Sequence, residues 1–368
     1  MTPPTVTDTA IEMMLRERGG GMVPSGLENV IVVAVRAESV RAGTPRWWRA
    51  RAAFRPALAF VLIALLLAAA LAAISVGSRY RIPQLIPSRI QVGSSVSPAW
   101  FASDGQSLWI HQPTGLVRVD LTTSAITGQV LLLGMCCGYD ATGAGAVWQT
   151  DYEHDGLSRI DPLTEKVVAT IPLASGSAPT GVAVTAGSVW LADEHAGAVT
   201  RVDPATNTVV ATIPVGPTGS AGPQIMTAGP GGVWVDIQNI KSVVRVDAAT
   251  NSVGLVVPLE GTVASDGTEV WIGVDAGPDG LSHVMRIDPV SGEVMTTVPI
   301  DSPGIYGLAV GLGSVWVSGD GLTQIDAATG DIVQHLDTQG DDGNVVVAGG
   351  SVWVAAGDKP YVVRVSLQ

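Results

Sequence analysis

The chain has 368 residues, with 20 Lys+Arg against 33 Asp+Glu and a formal charge of −13. That balance excludes a nucleic-acid binder that depends on a basic face. Two cysteines, Cys136 and Cys137, are too few for a disulfide-dense scaffold or a Cys-rich zinc module.

Residues 1–55 come first and are too few for a sizeable core. Thr9-x-x-Glu12 and Ser25-x-x-Glu28 read as capping boxes, each followed by apolar residues at helical spacing. The expectation is a short cytoplasmic stub of two helices, or a weakly ordered lead-in, able to dock a cytoplasmic partner.

Residues 57–76, ALAFVLIALLLAAALAAISV, carry no charge and one polar side chain, Ser75. As a helix this run spans a hydrocarbon core of about 30 Å. A transmembrane helix is therefore expected over 56–77, with Pro56 at its first position. Arg41, Arg46, Arg49, Arg51 and Arg55 precede it, and Arg79, Arg81 and Arg89 follow. That bias places the N-terminus in the cytoplasm and residues 78–368 outside, in a single-pass cell-membrane protein.

The outer region repeats. A tryptophan inside an apolar strand recurs in SLWI, AVWQ, SVWL, GVWV, EVWI, SVWV and SVWV, at Trp109, Trp148, Trp190, Trp234, Trp271, Trp316 and Trp353. The spacings are 39, 42, 44, 37, 45 and 37 residues. A second mark follows each: RVD, RID, RVD, RVD, RID, QID and RVS. The clearest unit, 179–216, divides at its Gly, Pro, Asn and Asp clusters into GVAV, SVWLA, AVTRVD and TVVATIPV. Four short strands in about 40 residues make one blade of a β-propeller. The fold expected for 78–368 is all-β: a seven-bladed propeller of four-stranded blades. The seventh repeat lacks a fourth strand, and SRIQVG at 88–93 resembles ATIPVG at 211–216. Residues 88–93 are therefore expected to complete the last blade and remove a loose edge.

On SVWLADEHAGAVTRVDPATNTVVATIPVG (188–216) and GSVWVSGDGLTQIDAATGDIV (313–333), the chain resembles the YVTN-type propeller repeats. It resembles the streptogramin B lyase propellers more loosely. The resemblance covers residues 88–368 and implies a central channel with a ligand face formed by second-to-third-strand and blade-to-blade loops. The lyase resemblance also implies a magnesium-assisted elimination by a histidine base and a nearby carboxylate. Its histidines fall late in the propeller, where this chain has VDAGPDG, SGDG and AAGDKP. Stub, span and outer domain together resemble membrane-bound anti-sigma factors, but the His/Cys zinc motif of those is absent, the first histidine being His111.

Candidate ligand-binding residues follow from the loops. Glu153, His154 and Asp155 lie in one second-to-third-strand connection, and Asp193, Glu194 and His195 in the next. Together they can hold a divalent cation or do acid–base chemistry, or they are two solvated polar loops. His111 and Asp236 occupy the position two after the tryptophan, filled elsewhere by Thr150, Ala192, Gly273, Ser318 and Ala355. They break a packing rule, which marks either function or a satisfied buried polar group. Cys136 and Cys137 lie between blades, as a strained vicinal disulfide, as two thiols, or bridged to another chain. DAGPDG (275–280) and QGDDGN (339–344) resemble acidic calcium turns but not an EF-hand loop, and no metal-ligand spacing stands out.

The function expected is a membrane-anchored propeller, non-catalytic, binding a ligand, an envelope polymer or a protein partner. The alternatives are a propeller lyase and a regulator signalling through the stub. No cofactor is expected for the first, and a divalent cation, Mg or Ca, for the lyase.

Overall fold

The computed structural model describes residues 82–93, 100–132, 138–357 and 359–368. The expected stub, the expected transmembrane helix and both cysteines lie outside the described residues. Among the described residues no helix is long and apolar enough to cross a membrane.

Residues from Ile82 to Gln368 form one compact unit. It contains seven sheets of four antiparallel strands, each in chain order except the last. Blade 1 begins at Phe101–Ser103, blade 2 at Asp140–Gly143, blade 3 at Pro179–Thr185 and blade 4 at Pro223–Gly229. Blades 5, 6 and 7 begin at Thr262–Ser265, Gly307–Gly311 and Val345–Ala348. These first strands contact one another around the ring and line the central channel.

Burial explains the repeat. The second strand of each blade is sandwiched between neighbours, as in Ser188–Asp193, where every residue is buried. All seven repeat tryptophans sit there at 0% exposure. Trp190, for example, packs in a cluster with Val233, Val235 and Val246 of the next blade. Burying a tryptophan removes roughly 150–250 Å² from water, which makes it the main weld between blades. The fourth strands form the rim, so Val209 and Val210 are exposed.

The arginine of RVD is a second weld. Its guanidinium lies 5.0–5.9 Å from the ring of its own blade's tryptophan at Arg118, Arg159, Arg201, Arg245 and Arg364. It then donates to the next blade's third-to-fourth-strand turn: Arg159 to Pro204 O at 2.7 Å and Arg201 to Ala248 O at 3.0 Å. The aspartate of RVD organises its own turn, with Asp203 Oδ1 accepting from Ala205 N at 2.8 Å. Asn207 closes that turn at φ 55°, a left-handed conformation asparagine tolerates.

The strand that completes blade 7 is Leu85–Gln91, paired antiparallel with Tyr361–Leu367. This corrects the bounds expected from 88–93. The register is that of the sequence match, since Leu85–Gln91 stands to SRIQVG as Thr208–Pro214 stands to ATIPVG. Val92 and Gly93 leave the ladder and donate to Pro360 O. Arg89 pins the strand through Asp341, at 2.8 Å.

Candidate binding face

Second-to-third-strand loops and blade-to-blade connections share one face of the ring, and the tight turns share the other. On the loop face, His111 and Asp140 meet across the seam between blades 1 and 2. His111 Nδ1 lies 3.1 Å from Asp140 Oδ2 and 3.1 Å from Gln149 Nε2. Nδ1 cannot donate to Asp140 while accepting from Gln149. The Gln149 contact suits an accepting Nδ1 beside a protonated Asp140, and an ionised Asp140 needs the opposite tautomer. Burial holds the Asp140 carboxyl above its ordinary range, only partly offset by His111. Burial alone would lower the His111 pKa, but the hydrogen bond and charge of Asp140 outweigh it and move it up. The two groups titrate as a pair that holds one proton between its two steps. Asp140 Oδ1 and Gln149 Oε1 are buried without a partner.

This cluster adjoins the channel. A cavity of about 320 Å³ is lined from all seven first strands. At its loop-face end Trp100 and Tyr139 stack with ring centroids 3.9 Å apart and planes 30° apart. Asp140 and the exposed Tyr306 also line it. Burial, with the charge of Glu194, pushes the Tyr139 phenol up to about 12.

The acidic loops of blades 2 and 3 are neighbours but form no common site. His154 is exposed and pairs with Asp151, at 2.9 Å from Oδ2. Glu153 is exposed beside it. Asp155 spends both oxygens on backbone, accepting from Gly176 N at 2.7 Å and Ala178 N at 2.8 Å. The bridge between the loops is Tyr152, whose Oη lies 3.2 Å from His195 Nε2. Glu194 accepts from Ala221 N at 2.9 Å. Asp193 is buried, bonded by Thr200 Oγ1 through Oδ2 and unpartnered at Oδ1. Burial lifts its pKa to about 7.

Asp236 lies apart from these residues, in the seam between blades 4 and 5. It accepts from Gly261 N at 3.1 Å, and burial raises its pKa to about 6, with the charge of Glu260 adding to the shift. Among the described residues no three His, Cys, Asp or Glu side chains gather to hold a metal ion. The donor set therefore does not fit a bound divalent cation, and no step through one is derived.

Asp140 and Gln149 were absent from the sequence candidates, yet both carried a signal. Asp140 stands eight residues before its tryptophan, where the other blades have Phe101, Val182, Met226, Val263, Leu308 and Val345. Gln149 stands one after it, where they have Ile110, Leu191, Val235, Ile272, Val317 and Val354. The three departures from the repeat therefore touch one another.

No family profile and no curated protein matches the chain. Solved structures do match. A streptogramin B lyase superposes with TM-score 0.63 at 16% identity, covering 77% of this chain and 98% of its own. A catalytically inactive histidine-to-alanine variant of virginiamycin B lyase from Staphylococcus aureus, with quinupristin, gives 0.63 at 14%, covering 77% and 100%. Hydrazine synthase of Kuenenia stuttgartiensis gives 0.62 at 17%, covering 75% and 97%. At these identities the likeness establishes the seven-bladed fold and nothing about activity.

Proposed function

We propose that this chain is a binding module, held at a cell membrane by residues 57–76, with its propeller extracytoplasmic and its ligand entering the channel from the loop face. The cavity beneath Trp100 and Tyr139 carries this reading. It is concave, with aromatic rings at its mouth, and apolar side chains such as Phe101, Met226 and Leu308 alternate in its lining with polar ones such as Asp140, Thr262 and Asn344, which can fix a ligand's orientation. The membrane placement rests on the uncharged run and its arginine flanks. Non-catalytic binding is favoured because His154, His195, His283 and His335 each pair separately, with Asp151, Tyr152, Asp279 and Thr323.

The test is a binding screen of full-length protein against separated cell-envelope fractions. Seven of the ten tryptophans are buried and constant, so the wild-type emission minus that of Trp100→Phe reports the channel mouth. The expected result is a fraction that shifts this difference signal and fails to bind Tyr139→Ala. A fraction bound equally by both variants and wild type would place recognition elsewhere.

The His111–Asp140 pair favours a second reading, a lyase. Histidine and carboxylate lie within hydrogen-bond reach beside the channel, and among the described residues His111 Nε2 makes no hydrogen bond. As base, His111 would take a proton at Nε2 while Asp140 holds Nδ1. Quinupristin, present with one structural neighbour, is the substrate to try. An elimination product formed without uptake of water, and lost in His111→Asn, would support this reading over the first.

A further inference from the structure

On the loop face, blades 4, 5 and 6 surround a recess of about 510 Å³. It opens because the position two after the tryptophan is glycine in blade 5. A Cβ on Gly273 would stand 3.0 Å from Ile305 Cδ1, and one on Gly261 would fall 2.0 Å from Gly273 O. Two glycines thus let the connection into blade 5 pass close and leave a hollow above.

Three carboxylates, Asp236, Glu260 and Asp275, and one cation, Lys241, line this hollow. Lys241 is 81% exposed and sits 3.5 Å from Glu260, at the rim. Its backbone is held at φ 49°, a left-handed conformation costly for a lysine. Asp275 spends Oδ1 on Ile305 N, at 2.9 Å. Asp236 is different. It is 2% exposed, and only its Oδ1 is used, by Gly261 N. Among the described residues no hydrogen bond reaches its Oδ2, and the residue lines the recess. That oxygen is reachable from the recess, so a donor entering there can pair with a carboxylate otherwise held by one backbone N–H. Ile225, Leu259, Val274 and Ile305 supply apolar wall, with Gln238 and Thr262 between them.

We infer that this recess binds an organic ammonium, whose N–H donates to Asp236 Oδ2 and whose apolar body lies against Ile225, Leu259, Val274 and Ile305. A metal ion is the poorer occupant, since no three side-chain ligands among the described residues converge to hold one. A neutral alcohol of the same length lacks the charge that three carboxylates and a single rim lysine select. The recess shares Ile225 and Thr262 with the channel cavity. The proposal rests on the binding reading of this face, and the two fail separately. Loss of Trp100 and Tyr139 dependence sinks the channel reading, whereas Asp236 alone decides this one.

The experiment titrates n-butylammonium and butan-1-ol into the full-length chain in detergent, by calorimetry, above neutral pH. Asp236→Asn is titrated identically, so partition into detergent cancels. Saturable binding of the ammonium is expected, weakened roughly tenfold or more in Asp236→Asn, the loss of one charge-assisted hydrogen bond. Asp301→Asn, outside the recess, should leave it unchanged. Affinity should fall as pH drops through about 6, where Asp236 takes up its proton beside Glu260, Asp275 and Lys241. No saturable binding, equal affinity for the alcohol, or equal affinity of Asp236→Asn overturns the proposal. Should Asp236→Asn fail to fold, Glu260→Gln on the exposed rim replaces it, with a smaller loss expected and an unchanged affinity counting against the site.

Discussion

The two ends of the ring use the same residue in opposite ways. On the turn face, Asp120, Asp161, Asp203, Asp247 and Asp288 are held below the usual carboxylate range by backbone N–H groups two and three residues on. On the loop face, Asp140, Asp193 and Asp236 are pushed up by burial that their few partners only partly offset. Asp341 shows that location is not the cause. It is on the loop face and 0% exposed, yet its pKa is lowered, because Lys359, Tyr361 and Arg89 outweigh its desolvation. Partners decide the direction. The turn face is where the repeat says the same thing in each blade, and it holds the ring together. The loop face is where the blades differ, and it keeps carboxylate oxygens free at some expense in stability.

The largest test of this division removes the part that closes the ring. Deleting 85–91 takes away the ladder to Tyr361–Leu367 and the Arg89–Asp341 pair. It leaves a seven-residue strand as an open edge. Loss of cooperative thermal unfolding and rising light scattering are expected. A melt like that of the intact chain would mean that closure contributes little.

Next come the tryptophan welds. Trp190→Ala and Trp316→Ala should each cost about 3–5 kcal/mol in urea unfolding. Trp190 should cost the more. Its loss also strips the ring from Arg201, 5.0 Å away, whereas blade 6 has Gln324 at that place. Equal costs would deny the arginine any share in the weld.

The pH dependence of stability should separate the faces. Asp193 keeps its proton up to about pH 7 in the folded chain and releases it near 3.8 when unfolded. Between those values the folded state binds more protons, so stability declines as pH rises. Asp193→Asn should remove the Asp193 share of that decline, a difference on the order of a few kcal/mol above neutral pH, and leave the shares of Asp140 and Asp236, which burial also pushes up. Asp203 has the opposite sign. Its contribution is present above the unfolded pKa and is lost as pH falls through its lowered folded value, so Asp203→Asn should flatten only the acid limb. Urea titrations from acid to neutral pH read both. A decline unchanged in Asp193→Asn would assign the whole of it to the His111–Asp140 pair and Asp236.

Much of the ring was legible in the sequence because its welds are local and periodic. Tryptophan, RVD and turn recur, and each is understood within one blade. The loop-face sites span two blades, and there legibility fell. His111 and Asp236 were visible as exceptions to one column of the repeat. The partner of His111 stands in a different column of the next blade, at Asp140, and scanning one column could not find it. The recess beside Asp236 depends on how close Gly261 comes to Gly273 O, which is a property of backbone paths. His154 and His195 drew notice as loop histidines, but one turns to Asp151 and the other to Tyr152. RVD was legible as a mark, whereas the reach of its arginine to the following blade emerged only with the ring assembled.

The smallest effect sharpens the comparison most, because it lies within the regular face. Arg201 has its Nε and Nη1 satisfied: Nε donates to Ser188 Oγ at 2.8 Å, and Nη1 to Ala248 O and Asn251 Oδ1 at 3.0 and 2.6 Å. Arg245 makes the same reach to Pro289 O at 2.6 Å, but its Nε is buried without a partner. The reason is Gly232, which stands where blade 3 has Ser188. A serine cannot be restored there, since its Cβ would fall 2.0 Å from Val246 O at φ 151°. Substitution by methionine keeps the aliphatic stem in each case and removes the donors. Arg201→Met then loses satisfied hydrogen bonds, while Arg245→Met also relieves a buried donor that nothing accepts. We expect Arg245→Met to cost less than Arg201→Met by about 1 kcal/mol. Gln324→Met should cost about the least of the three, because Gln324 bonds only Ser314 and Gln334 of its own blade. Urea midpoints at constant m-value measure the order, and a reversal between the two arginines would show that the unpaired Nε carries no penalty in this seam.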